Sequence, residues 1–295
     1  MELSIIIVNW NVREYLLKAV ESIFKFSQNL SFEIIVVDNA SNDKSLEALR
    51  NKFFEKIKEE KLVLIQNHKN LGFAKANNIG LREAKGDYIF FVNPDIEFVE
   101  NSGKILLDLM KAKQEIALCT CTLLYGDKTT QPNVKNNPTL CSQILIALKL
   151  HHFSKAKCLD QYLRKDFDYQ KEQEVKQVMG ACVFTRKDLI SGIKGWSEDY
   201  PLWWEDVDLC KRYQLRGQKI VYTPKTKIIH YEGKSFEQRL SLAKQKRFLR
   251  GMLTYFYKYH SKLAFGILLI ISPLSLFLAF LTQIFKVKPR TQSKI

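Results

Sequence analysis

Three carboxylates stand within four positions at Glu205, Asp206 and Asp208, directly behind Trp203 and Trp204. A carboxylate placed beside a sugar hydroxyl can take its proton as a general base. Leu209, Tyr213 and Leu215 continue as a short helix that ends near Gly217. The acids would then occupy a helix N-terminus, where the backbone dipole favours negative charge. Acids in a first turn also serve simply as caps, and this stretch alone supports either reading. Three more polar clusters follow short apolar runs: Asn9 to Asn11, Asp38 to Asp43, and Asn93-Pro94-Asp95. His151-His152 with Cys158 matches no common metal spacing.

These clusters need elements to hold them. Residues 3–8, 33–37, 62–66 and 87–92 are apolar runs of strand length, separated by helical patterns. Leu16, Val20, Ile23 and Phe24 form the apolar stripe of the first helix. Strand and helix alternating in this way predict an α/β fold with a doubly wound, mostly parallel sheet. Ligands bind beyond the carboxyl ends of such strands, and the polar clusters fall at those ends. Further on, residues 115–124 and 177–185 read as strands, the latter containing Gly180-Ala181, which permit close backbone approach. Residues 142–152 read as an amphipathic helix, the charged stretch 154–176 as a mobile surface segment, and 219–222 and 227–231 as two short strands.

The 295 residues, 46% hydrophobic and 26% charged, describe a folded chain with a net charge of +15. The first hundred residues carry 13 basic against 15 acidic side chains, so the excess lies entirely beyond them. It gathers in a basic amphipathic segment, 235–262, before an uncharged stretch at 263–285 and a basic tail at 286–295. That arrangement points to an anionic membrane surface rather than to nucleic acid, for which no recognition motif is present. The uncharged stretch is long enough to cross a bilayer, with Pro273 as a potential kink, and flanks basic on both sides leave a single span and a re-entrant hairpin both open. The six cysteines contain no C-x-x-C pair and no secretory signal precedes them, so reduced thiols of a cytosolic protein are expected.

Six motifs occur in order: Ser4-Ile5-Ile6-Ile7-Val8-Asn9-Trp10-Asn11, Val36-Val37-Asp38-Asn39-Ala40-Ser41, Asn70-Leu71-Gly72-Phe73-Ala74-Lys75-Ala76-Asn77-Asn78-Ile79-Gly80, Val92-Asn93-Pro94-Asp95, Gly180-Ala181-Cys182-Val183-Phe184 and Glu205-Asp206-Val207-Asp208-Leu209. Together, over about residues 3–235, the chain resembles a family 2 glycosyltransferase of the rhamnosyltransferase-like branch. The resemblance implies a GT-A fold, Rossmann-like, in which residues 1–100 form a nucleotide-binding half and 101–234 an acceptor half. It implies inverting transfer of a sugar, with rhamnose the first guess, from a pyrimidine nucleotide diphosphate to a hydroxyl of a lipid-linked glycan. The expected setting is cell-surface polysaccharide synthesis on the cytoplasmic face of a bacterial membrane. Two alternatives stay open: transfer to a polyprenyl phosphate itself, and a non-catalytic nucleotide-sugar-binding scaffold.

By the same resemblance Asp206 is the base, and Trp203, Trp204, Glu205 and Asp208 meet the acceptor. Val8, Asn9, Asp38, Gly72, Asn77, Asn93 and Lys234 meet the donor, with Asp38 accepting the imide N–H of a pyrimidine. Asp95 and His230 hold Mg²⁺ or Mn²⁺. The family commonly has Asp-x-Asp where this chain has Asn93-Pro94-Asp95. Asn93 offers only a neutral carbonyl, so metal is expected to assist rather than be strictly required.

Overall fold

The computed structural model describes residues 1–232 and 241–284. Lys234, Phe285 and the basic tail 286–295 lie outside the described residues, as does the start of the expected basic amphipathic segment. Strand β1 (Leu3–Asn9) is buried along its whole length, which is what its unbroken apolar run requires of a central strand. Helix α1 (Arg13–Phe26) turns Leu16, Ala19, Val20 and Ile23 inward, and β2 (Phe32–Asp38) returns parallel to β1. The lysine- and glutamate-rich stretch forms α2 (Ser45–Lys52) and α3 (Phe54–Lys58) before β3 (Leu62–Gln66). Helix α4 (Phe73–Glu83) and β4 (Tyr88–Val92) complete the N-terminal half, with β4 parallel to β1.

The second half is more mixed. It continues with β5 (Ile96–Phe98), α5 (Ser102–Ala112), β6 (Ile116–Leu124) and the short β7 (Thr130–Gln131) and β8 (Val134–Lys135). Helices α6 (Leu140–Ala147) and α7 (Lys157–Leu163) flank a 3₁₀ turn at Leu150–His152. Then come β9 (Gln173–Glu174), β10 (Gln177–Val178), β11 (Cys182–Arg186), α8 (Lys187–Gly192), α9 (Glu205–Leu215) and β12 (Lys219–His230). Two long helices close the described chain, α10 (Ser241–Tyr259) and α11 (Lys262–Ile284). The main sheet runs β3-β2-β1-β4-β11-β6-β12-β5. Pairs on the N-terminal side are parallel, whereas β11 runs antiparallel to both β4 and β6, and β12 antiparallel to β5.

Four expectations are corrected here. The two strands expected at 219–222 and 227–231 are one strand, β12, whose register with β6 shifts between Thr223 and Lys227. The strand expected at 177–185 is broken at 179–181: β10 pairs with β8 in a separate two-stranded sheet, while β11 joins the main one. The charged stretch 154–176 is ordered: Leu159, Tyr162, Phe167 and Val175 are buried, and the Phe167 ring packs edge-on against Tyr169 and Tyr222. Its charges are spaced by apolar residues that reach the core, which composition alone hides. Finally, the cysteines are not all reduced. Cys141 on α6 and Cys158 on α7 form a disulfide, while Cys119, Cys121, Cys182 and Cys210 are buried thiols. Disulfides are rare in reducing compartments, so this pairing departs from the expectation for a cytosolic chain.

Helix α11 has 23 residues and is long and apolar enough to cross a membrane by length and composition. It is also packed: Ala264, Leu268, Ser272, Ser275 and Ala279 face inward at helical spacing. On the inner face a thread of hydrogen bonds runs from Lys149 Nζ to Gln245 Oε1 (2.8 Å), from Gln245 Nε2 to Ser275 Oγ (2.8 Å), and from Ser275 Oγ to the Ala147 carbonyl (2.6 Å).

Candidate active site

Strands β1 and β2 end level with each other, Asn9 opposite Asp38. Asn9 Nδ2 donates to Asp38 Oδ1 at 2.7 Å, and the Ser41 backbone N–H donates to Asp38 Oδ2 at 2.9 Å. Asp38 is therefore buried and fixed, with its carboxylate at the carboxyl edge of the sheet. Val8 lies buried one residue behind Asn9. Asn39 braces the neighbouring loop, donating to the Gly72 carbonyl at 3.2 Å and accepting from Asn67 at 2.9 Å. Gly72 caps α4 at φ +85°, a conformation that disfavours any Cβ. Asn77 was expected to meet the donor. It is buried within α4, and its amide donates to the Phe73 carbonyl of its own helix. Its neighbour Asn78 carries a structural role that the sequence did not signal. It accepts from the Trp196 N–H (2.8 Å) and donates to the Trp196 carbonyl (2.9 Å), joining α4 to the loop before α9.

The second group lies at the end of β4. Asn93 Nδ2 donates to His230 Nε2 at 3.2 Å, and that nitrogen sits 3.4 Å from Asp95 Oδ1. The pairing of β12 with β5 brings His230 there. Among the described residues no three His, Cys, Asp or Glu side chains gather as a metal cage. One carboxylate oxygen and one imidazole nitrogen 3.4 Å apart still suit an open site, one completed by a ligand's own oxygens. The residues fit a divalent ion in that limited sense.

The third group begins α9. Trp203 and Trp204 both hold left-handed backbone, φ +58° and +71°, and so turn the chain sharply into the helix. Asp206 is gripped from both sides: Oδ2 accepts from the Gly180 N–H at 3.0 Å and Oδ1 from the Val207 N–H at 2.8 Å. Burial raises its pKa, against the lowering by those two N–H groups and by the charge of Lys135 on β8. Glu205 is buried with Oε2 unpartnered. Burial first, and then the Asp206 charge, push its carboxyl up to about 8. The folded state thus holds that proton more tightly than the unfolded chain, whose carboxyl titrates near 4.5, and folding is penalised progressively as pH rises between the two. Glu205→Gln removes that titration. Its thermal midpoint is expected to fall less than that of the wild type between about pH 5 and pH 9. Parallel pH curves for the two proteins would contradict the assignment.

The second and third groups are connected. The Asn93 N–H donates to the Ala181 carbonyl at 3.1 Å, and the adjoining Gly180 holds Asp206. Two hydrogen bonds and one dipeptide therefore link the end of β4 to the carboxylate on α9.

Of the other three residues expected at the acceptor, Trp204 and Asp208 are buried and Trp203 is half-buried. Trp204 is buried against Phe248 and Tyr255 of α10, with ring centroids 5.6 and 5.5 Å away. It lies so close to Gly251 that a Cβ there would come within 2.6 Å of its ring. Trp203 is the half-buried one of the pair. Asp208 is fully buried and saturated: Tyr200 and Tyr259 donate to Oδ1 at 2.9 and 2.8 Å, and Arg212 Nε donates to Oδ2 at 2.6 Å. It joins α9 to α10.

Residues 4–189 match the model of glycosyl transferase family 2, and residues 151–289 match that of glycosyl transferase family group 2. The chain belongs to glycosyl transferase family 2. The minor teichoic acid biosynthesis protein GgaB of Bacillus subtilis is 29% identical to this family 2 chain over 169 residues, 56% of the chain and 18% of GgaB. The N-acetylglucosaminyl-diphospho-decaprenol L-rhamnosyltransferase of Mycobacterium tuberculosis is 22% identical over 213 residues, 68% of this chain and 67% of that protein. The chain spans less than a third of the length of the first three relatives it matches, at 18, 17 and 26%. A mannosyltransferase from Pyrobaculum calidifontis, solved with GDP-mannose and Mn²⁺, superposes with a TM-score of 0.58 at 16% identity, covering 98% of this chain and 76% of its own. The family 2 chain thus has the GT-A fold expected of it, with its three polar groups along the carboxyl edge of the sheet.

Proposed function

We propose that the chain is an inverting glycosyltransferase of cell-surface polysaccharide synthesis. It moves a sugar from a pyrimidine nucleotide diphosphate to a hydroxyl of a lipid-linked glycan. The observation that carries this reading is the hydrogen-bonded link from Asn93, through Ala181 and Gly180, to Asp206. It holds a donor-side loop and a half-buried, hydrogen-bonded carboxylate in one frame, as a displacement at a single carbon requires. The L-rhamnosyltransferase among the relatives makes a rhamnosyl donor the first to test.

In this mechanism Asp206 takes the proton of the acceptor hydroxyl. The oxygen attacks the anomeric carbon on the face opposite the nucleotide diphosphate, the carbon–phosphate oxygen bond breaks, and the configuration inverts. The raised pKa of Asp206 makes it a stronger base than an exposed carboxylate. Asn9 and Ser41 hold Asp38 at the nucleoside end. Asp95 and His230 would hold a divalent ion, which would neutralise charge on the departing diphosphate. Trp203 remains as the aromatic beside the acceptor. The catalytic body faces the cytosol, where the donor is made, with α11 at the membrane.

The test is calorimetric titration of dTDP-rhamnose, UDP-sugars and GDP-mannose, with and without Mn²⁺, into the wild type and Asp38→Ala. A pyrimidine donor should bind the wild type, and the variant should lose about 1.5–3 kcal/mol of that affinity, the worth of a hydrogen bond to a charged group. Equal binding by both proteins removes Asp38 from the pocket, and preference for GDP-mannose removes the pyrimidine donor.

A further inference from the structure

We propose that Gln131 and Glu232 are positioning residues that fix the tautomer of His230, and so aim a lone pair at the point shared with Asp95. The proposal rests on the reading of Asp95 and His230 as ligands of a divalent ion.

Glu232 Oε2 accepts from the Gln131 side chain at 3.1 Å, and an ionised carboxylate can only accept. Gln131 must therefore turn its amide nitrogen toward Glu232 and its carbonyl the other way. That carbonyl, Oε1, lies 2.9 Å from His230 Nδ1. A carbonyl oxygen can only accept, so Nδ1 carries the proton. In the neutral ring Nε2 then has the lone pair, which agrees with the Asn93 amide donating to it at 3.2 Å. In the neutral ring the roles therefore end at an unprotonated nitrogen 3.4 Å from Asp95 Oδ1.

Burial makes the device specific. Gln131 and His230 are 1% and 2% exposed, so water has little access with which to supply a competing donor or acceptor. The pairing of β7 with β6 places Gln131 opposite Leu123, and β12 lies on the other side of β6, so the sheet itself holds the amide beside the imidazole. A metal entering at Nε2 would displace only the Asn93 donor. Rotation of that amide by half a turn replaces its NH₂ with its carbonyl. Asn93 would then serve the same ion with no backbone movement, which gives the neutral residue a place in the site.

Outer-shell partners of metal-bound histidine commonly account for about 10–100-fold in metal affinity. The experiment uses the full chain with saturating UDP. It measures Mn²⁺ binding from the spin-resonance signal of the free aquo ion, and reads the His230 tautomer from nitrogen chemical shifts of the ¹⁵N-histidine-labelled protein. The expected result is an Nδ1–H ring in the wild type and Mn²⁺ affinity reduced about 10–100-fold in Gln131→Ala. Glu232→Gln, isosteric and on a partly exposed residue, should keep the fold while releasing the Gln131 amide to turn over. It should show a shifted tautomer and weaker Mn²⁺ binding. An Nε2–H ring in the wild type overturns the proposal. So does wild-type affinity in both variants while His230→Ala loses Mn²⁺, which leaves the metal reading standing without the relay. If His230→Ala and Asp95→Ala also bind Mn²⁺ like the wild type, the metal reading falls and the relay falls with it.

Discussion

Asp206→Asn is expected to lower the transfer rate by about 10²–10⁴-fold, the usual worth of a positioned general base, while nucleotide affinity stays at the wild-type level. The substitution is nearly isosteric. The asparagine carbonyl can still accept from either the Gly180 or the Val207 N–H, the two bonds that hold the carboxylate now. What is lost is the capacity to take a proton. The donor groups at Asn9 and Asp38 are on other strands and keep their own hydrogen bonds. The measurement is steady-state transfer alongside calorimetric donor binding. Wild-type turnover would remove Asp206 from the role of base, and loss of donor binding together with turnover would show that the residue is structural.

Asp208→Ala is expected to cost about 3–5 kcal/mol of folding stability, the typical penalty for removing one partner of a buried ion pair. The carboxylate has no exposed surface, and Arg212 Nε, Tyr200 and Tyr259 all donate to it. Alanine leaves a guanidinium and two hydroxyls without their acceptor. Because Tyr259 belongs to α10, the defect also loosens that helix from α9. The check is the urea midpoint of the variant, with Michaelis constants measured well below it. A variant of normal stability with a raised Michaelis constant for the acceptor would restore the direct acceptor contact expected from sequence.

The contrast between Asp206 and Asp208 shows what sequence can and cannot carry. Both acids sit in one motif, and nothing in their spacing separates a carboxylate held at the sheet edge from one locked between helices. The difference arises from Tyr259, fifty-one positions further along. Trp204 behaves likewise, because its burial depends on the gap left at Gly251. By contrast, the placement of Asn9 and Asp38 at the carboxyl ends of neighbouring strands was legible, since two consecutive buried strands joined by one helix lie parallel. Gln131 was invisible for the opposite reason. It stands in a polar loop-like stretch, and only the register of β6, β7 and β12 reveals its neighbour. The disulfide between Cys141 and Cys158 needed the packing of α6 on α7, which a cysteine count does not provide.

The polar thread along the inner face of α11 bears on immersion depth. Ser275 lies near the middle of this 23-residue helix, which is roughly 35 Å long at 1.5 Å per residue. Were α11 upright across a bilayer, Ser275 would sit near the midplane. Its partner, the Ala147 carbonyl, would draw α6 and the Lys149 ammonium into hydrocarbon with it. The packing described here is compatible with a different posture. Leu263, Ile270, Leu274, Phe277 and Ile284 form an exposed stripe on the face away from the body. Laid on its side, α11 would press that stripe into one leaflet like a keel, and the chain would ride at the headgroup level without piercing the sheet of lipid.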